Sequence, residues 1–127
     1  MIRADTFWEL VERRASETPH AFFGLDESGR ERTFGEYRAD SLDLAAGLAE
    51  RGVREGTPVS WILPTGFLAL DLIAALCRLG AVQNPILPIY RGREVAFCLR
   101  QTGAEFLIVP REYRGFDYGS LAIDLAS

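Results

Sequence analysis

Residues 58–90, PVSWILPTGFLALDLIAALCRLGAVQNPILPIY, constrain this chain more than any other stretch. A short apolar run at 59–63 is halted by Pro64, and the segment 66–79 that follows carries only two charges, Asp71 and Arg78. Gly80 ends it, and a second apolar run fills 81–87. The order is strand, buried helix, strand, and two strands joined by a helix-length crossover pair in parallel. A helix apolar on nearly every side needs cover from more than one neighbour. The flanking segments are expected to supply that cover.

They read as follows. Thr6 and Glu9 form a T-x-x-E capping box that opens a helix through about Glu17, before Pro19, with Phe7, Leu10, Val11 and Ala15 as its apolar stripe. Residues 20–25 and 30–34 are strands around the turn-forming Asp26-Glu27-Ser28-Gly29, which predicts a hairpin. Thr33 and Glu36 repeat the capping box and start a helix to about Arg51, with Tyr37, Ser41, Leu44, Ala45 and Leu48 inward and Gly52 as the stop. After the central stretch, a helix from Arg91 to about Thr102 turns Val95, Cys98 and Leu99 inward and closes at Gly103. Residues 104–109 are a third apolar strand ended by Pro110, residues 111–115 a polar loop, and Asp117 or Ser120 caps a last short helix.

Three apolar strands joined by two helices give an α/β chain with a parallel βαβαβ sheet flanked by helices, wound right-handed. The expected organisation is a single α/β unit over 1–127, with a helix and hairpin at 1–34 and the βαβαβ core at about 35–127. Hydrophobic residues at 48% and charged residues at 25% are ordinary for a globular chain of 127 residues.

Charge and cysteine content narrow the chemistry. A net charge of −4 gives no electrostatic reason to expect nucleic acid. All 14 basic side chains are arginine, so Schiff-base or phosphate-binding lysine chemistry has no residue here to perform it. Cys77 and Cys98 read as reduced thiols, and with His20 as the one histidine a metal site lacks ligands. The opening MIRADTFWEL has no apolar signal core, and Asp71 interrupts the longest apolar stretch, so a cytoplasmic protein with no membrane span is expected.

Candidate site residues are few. Thr65 meets a helix amino terminus after the first core strand, where it serves as an N-cap or contacts a ligand. Glycine-rich phosphate loops and G-x-S-x-G are missing. Arg111 and Arg114 put two guanidinium groups close together in one loop, the best candidate for an anion contact, with a solvated loop as the plainer reading. No catalytic machinery and no metal ligand set is visible.

The ordered series Arg32-Thr33-Phe34 with Glu36, then 48–52 before Gly56, Leu79-Gly80-Ala81-Val82 before Pro85, Glu94 to Leu99, and the strand 106–109 resembles the amino-terminal part of acyl-CoA synthetases. These are members of the adenylate-forming superfamily, with luciferase and peptide-synthetase adenylation domains. The resemblance covers about residues 6–125, and NPILPIYR at 84–91 with YRGFDY at 113–118 is most similar to the branch acting on short- and medium-chain fatty acids or alicyclic acids.

The resemblance implies a scaffold part of the large N-terminal domain of such an enzyme. The complete enzyme would activate a small-molecule carboxylic acid, a fatty acid foremost, with ATP and Mg²⁺ to an acyl-adenylate, then pass it to coenzyme A. The family's phosphate-loop and catalytic lysines match no position of this chain. It is therefore expected to be an amino-terminal portion, inactive alone and with none of these cofactors bound, whose bare surfaces make it a homodimer. Some relatives hold the coenzyme A 3′-phosphate with arginines in the loop matching Arg111 and Arg114, which assigns those two a cofactor contact. The reading from another class is a freestanding Rossmann- or flavodoxin-like nucleotide- or protein-binding module, with ligands near Pro64, Leu87 and Pro110.

Overall fold

A computed structural model describes residues Met1–Ser127. They group into two compact units interleaved along the chain, Met1–Glu55 with Thr65–Gly80, and Gly56–Pro64 with Ala81–Ser127.

The first unit holds α1 (Phe7–Glu17), the strands β1 (Phe22–Leu25) and β2 (Glu31–Thr33), α2 (Phe34–Glu50) and α3 (Phe67–Leu79). Both expected caps form: the Thr6 hydroxyl accepts from the Glu9 N–H, and Thr33 and Glu36 make a reciprocal box. The antiparallel hairpin of β1 and β2 forms as its turn residues require, with Asp26 Oδ1 accepting from the Ser28 and Arg30 N–H groups. A register shift between Phe22 and Gly24 bulges the strand at Phe23. The Phe23 ring stacks on Tyr37 at 4.0 Å and meets Phe34 edge-on. Val11, Tyr37 and Ala74 form the core of this unit, with Trp8 and Phe23 packed on it.

α3 buries Ala69, Leu72 and Leu76 along one line and Asp71, Ala74 and Ala75 along another. Leu68 and Leu70, on different sides of the helix near its start, are exposed. The helix ends at Gly80, which is left-handed at φ 71°, and a Cβ there would come to 3.2 Å of Glu55 Cγ. Two expectations change. The N-cap is Gly66 without a side-chain hydrogen bond, so Thr65 is not the cap. On α1 only Val11 and Ala15 are buried, whereas Phe7 and Leu10 of the expected stripe are exposed.

The second unit holds the strands β3 (Pro58–Trp61), β4 (Val82–Pro85) and β5 (Phe106–Ile108), with α4 (Gly92–Thr102), a small hairpin of β6 (Glu112–Tyr113) and β7 (Phe116–Asp117), and α5 (Tyr118–Ala126). The sheet order is β4-β3-β5, all parallel, with Ser60 opposite both Asn84 and Leu107. The buried Ser60 hydroxyl accepts from the Asn84 side chain at 3.0 Å, which satisfies both groups. Ile62, Ile86, Val95 and Tyr118 are the core here, and Cys98, Leu99, Leu107, Leu121 and Leu125 pack on it. α4 and α5 thus cover one face of the sheet, α4 through the Val95, Cys98 and Leu99 stripe that its spacing predicts.

β4 is an edge strand, and Val82 on it is exposed, unlike the buried run that its composition suggests. The loop expected at 111–115 is instead the β6–β7 hairpin, turning on Arg114 (φ 49°) and Gly115 (φ 76°). Two successive positive φ values match the twist of a two-residue hairpin. Arginine stands where glycine or asparagine is the easier occupant.

Candidate functional site

Parallel strands place their ligand loops at their carboxyl ends. In the second unit those ends are Trp61, Pro85 and Ile108. The segments that follow Pro85 and Ile108 are held by specific bonds.

The segment after β4, residues 86–91, begins on a ladder bond from the Ile86 N–H to the Trp61 carbonyl. It then closes a turn with the Tyr90 N–H donating to the Leu87 carbonyl at 3.1 Å. Pro88 suits that turn by having no N–H to satisfy. The segment after β5 returns through the β6–β7 hairpin to Tyr118, the first residue of α5 and fully buried. Asp117 caps α5 by accepting from the Ser120 N–H at 2.8 Å, and this bond chiefly holds its carboxyl below the usual range.

Tyr118 joins the two segments. Its hydroxyl donates to the Pro88 carbonyl at 2.7 Å, lies 3.2 Å from the Tyr90 carbonyl, and accepts from Arg91 Nη1 at 2.8 Å. The same Arg91 nitrogen donates to the Tyr90 carbonyl. The Arg91 guanidinium lies 4.3 Å above the Phe116 ring, which meets Tyr118 edge-on at 4.7 Å. Arg91 is also the N-cap of α4, where its N–H donates to the Glu94 carboxylate; the backbone N–H of Glu94 itself, and then that of Arg91, hold the Glu94 carboxyl below its ordinary value. One phenol and one guanidinium therefore pin the loop after β4 to the hairpin after β5. Sequence reasoning assigned no role to Arg91, Phe116 or Tyr118.

Arg111 and Arg114, the predicted anion contacts, bracket β6. Arg111 is exposed, and its carbonyl accepts from the Gly119 N–H. Arg114 is exposed at the hairpin turn, with its guanidinium 5.2 Å from the Tyr113 ring. His20 is exposed, and neither cysteine is in a disulfide. Trp61 closes β3 with its indole N–H buried and without an acceptor.

The first unit holds a second polar cluster. Arg32, 2% exposed, pairs through both terminal nitrogens with Asp71 on α3, and Nη2 also reaches Asp40 on α2 at 2.7 Å. Its face lies 4.8 Å from the Phe67 ring. Burial pushes the Asp71 carboxyl up, against the pull of Arg32. Burial, then the nearby Asp71, pushes the Tyr37 phenol up to about 12. These groups tie a strand to two helices. The signal in the sequence was Asp71 itself, one of two charges in an otherwise apolar segment.

Neither cluster sets a nucleophile against a base. No group of three or more His, Cys, Asp or Glu side chains could hold a metal ion, and the chain has no lysine. These residues do not form a triphosphate–Mg²⁺ site.

Comparison with known proteins gives this geometry a context. A 2,3-dihydroxybenzoate-AMP ligase of Bacillus subtilis (strain 168) is 38% identical over 90 residues, 71% of this chain and 16% of that protein. A 2-hydroxy-7-methoxy-5-methyl-1-naphthoate–CoA ligase of Streptomyces carzinostaticus is 31% identical over 112 residues, 88% of this chain and 20% of that protein. The fold matches a Mycobacterium tuberculosis fatty acyl CoA synthetase with a TM-score of 0.78 at 24% identity, covering 82% of this chain and 21% of the other. The chain thus spans a fifth or less of the length of these curated relatives. The family model described as AMP-binding enzyme matches residues 11–124, and this chain belongs to that family.

Proposed function

We propose that this chain is the amino-terminal scaffold of a longer ATP-dependent carboxylate–coenzyme A ligase that works through an acyl-adenylate. The family match over residues 11–124 carries this reading, and curated relatives named as AMP and CoA ligases support it. ATP, Mg²⁺ and coenzyme A belong to the longer enzyme, and the chain alone turns over nothing. The freestanding nucleotide-binding module has no comparable support.

The acid is a small carboxylic acid. Two classes compete: a fatty acid, suggested by the resemblance of 84–91 and 113–118, and an aryl acid, suggested by the names of the two curated relatives. Within the same reading, Arg111 and Arg114 contact the 3′-phosphate of coenzyme A, since both guanidinium groups are exposed on one short hairpin. The working location is the cytoplasm, where two thiols outside any disulfide fit a reducing compartment. The net charge of −4 gives a nucleic acid no counter-charge. No helix is long and apolar enough to cross a membrane. Exposed Phe22, Leu25 and Leu68 favour self-association of the chain as a homodimer.

Acid-dependent ATP–pyrophosphate exchange tests the reading. The 127-residue chain should give no signal, and the longer enzyme should give one with acids from the fatty or the aryl class. Turnover by this chain alone overturns the scaffold role. A longer enzyme inert with both classes overturns the ligase.

A further inference from the structure

The outward side of the loop after β4 and of α4 is an amphipathic surface that the enzyme reading does not use. Leu87 is 58%, Ile89 66% and Phe97 55% exposed. Tyr90, the residue just before the helix cap, and Phe97 line a shallow groove on α4 together with Arg93, Glu94, Cys98 and Arg100. Residues 86–100 contain three arginines and one glutamate, a segment of net charge +2 in a chain of net charge −4. The one glutamate is engaged at the start of the helix.

The loop's backbone makes the surface unusual. The Leu87 carbonyl accepts from the Tyr90 N–H, the Pro88 carbonyl from the Tyr118 hydroxyl, and the Tyr90 carbonyl from Arg91. Pro88 has no N–H, and the Arg91 N–H donates to Glu94. The Leu87, Pro88 and Tyr90 carbonyls and the Tyr90 and Arg91 N–H groups are therefore bonded within the protein, while the two aliphatic side chains of the loop are exposed. An apolar interface favours each such internal bond, because an unsatisfied N–H or C=O there costs several kcal/mol. Water does not demand it. Arginine side chains beside the apolar tips can keep their charged ends at headgroup level while their stems lie along apolar surface.

We propose that this face docks on an anionic lipid surface, with Leu87, Ile89 and Phe97 entering the interface and Arg93 and Arg100 meeting the headgroup charges. The occupant is a bilayer rather than a second copy of the chain, because the basic segment is complementary to anionic lipid and would meet its own charge in a symmetric dimer. The inference rests on charge, exposure and hydrogen bonding, and stands apart from the ligase reading.

Co-sedimentation of the chain with vesicles tests it, comparing phosphatidylcholine alone with phosphatidylcholine containing about 30% phosphatidylserine. Binding is expected only on the anionic vesicles and should weaken as salt rises. Ile89→Ser with Phe97→Ser should lower the partition coefficient by at least about tenfold. Arg93→Glu and Arg100→Glu should each lower it by about fivefold or more. Leu68→Ser, at an exposed apolar side chain of α3, should leave it unchanged. Since every substituted side chain is exposed, melting curves should match the parent chain; if a variant does unfold, the salt and lipid dependence of the unaltered chain decides. No binding, equal binding to both vesicle types, or binding indifferent to the loop and α4 variants overturns the proposal. Self-association lost in those same variants, without lipid binding, assigns the face to a second copy instead.

Discussion

Arg32 and Asp71, 39 positions apart, form a two-point ion pair, with Nη1 at 3.2 Å from Oδ2 and Nη2 at 3.0 Å from Oδ1. Arg32 is 2% exposed, so its charge depends on that carboxylate and on Asp40. Removing one partner of a buried pair leaves the other uncompensated and typically costs about 3–5 kcal/mol. Asp71→Leu is therefore expected to destabilise the chain by about that amount in urea unfolding, and Arg32→Met with Asp71→Leu together by much less. Additive losses would show that the two do not act as a pair.

Tyr37 leads to an alkaline prediction. Its phenol is held up to about 12 from 10.0, first by burial and then by Asp71. The folded state keeps the proton longer than the unfolded chain, so stability present below pH 10.0 is lost as the pH rises towards about 12. Tyr37→Phe should flatten that loss. At neutral pH it should cost about 1 kcal/mol, through the hydrogen bond to the Leu70 carbonyl. A melting-temperature profile over this range reads both effects, and an unchanged alkaline slope would remove the assignment.

The acid limb runs the other way. The Glu9, Asp26, Glu36, Glu94 and Asp117 carboxyls are held below their ordinary values of 3.8 and 4.5, chiefly by backbone N–H groups or, for Asp26, by Ser28. Their contribution is present above those values and lost as the pH falls through the depressed ones. Asp71, held up by burial, opposes them in part, since the folded state takes its proton first. Glu36→Gln should lower stability at neutral pH and converge on the parent chain in acid. Parallel pH profiles for the two chains would contradict this.

Tyr118→Phe keeps the ring and removes the hydroxyl that holds Arg91 and the Pro88 carbonyl. The bond to the Pro88 carbonyl is only part-buried, so its loss should cost about 0.5–1.5 kcal/mol. Hydrogen exchange at the Tyr90 N–H should quicken, whereas exchange at the Ser60 N–H in the sheet should change only with global stability. Equal changes at both sites would mean that Tyr118 packs the core without fixing the loop.

Arg114→Ala in the longer enzyme should raise KM for coenzyme A with kcat little changed, if the hairpin meets the cofactor's phosphate. An unaltered KM would free Arg114 of that role.

Much of this architecture was legible because its signals are local. The capping boxes at Thr6 and Thr33, the Asp26 turn and the stops at Gly52, Gly80 and Gly103 each act within a few residues. The β6–β7 hairpin escaped because its strands are two residues long, too short to show alternation. Its Arg114-Gly115 pair was nevertheless a turn signal. The exposure of Phe7 and Leu10 was hidden, since periodicity gives a helix's apolar side without saying how wide a strip its neighbours cover. Asp71 lies 39 positions from Arg32 and the partners of Tyr118 lie 27–30 positions away, and only the fold brings them together. Arg111 and Arg114 stand out in the sequence as two close guanidinium groups, but the β6–β7 hairpin that carries Arg114 at its turn does not.

The order β4-β3-β5 leaves β3 as the one strand bonded on both sides. Each outer strand therefore has one edge that no further strand of this sheet pairs, and such edges recruit strands. Pro85 closes β4, and the charged Glu105 stands just before β5, which blunts both margins without sealing them. At high concentration, such a sheet has a built-in route to growth by strand addition, and the cross-β spacing of the product would tell that growth apart from association through side chains.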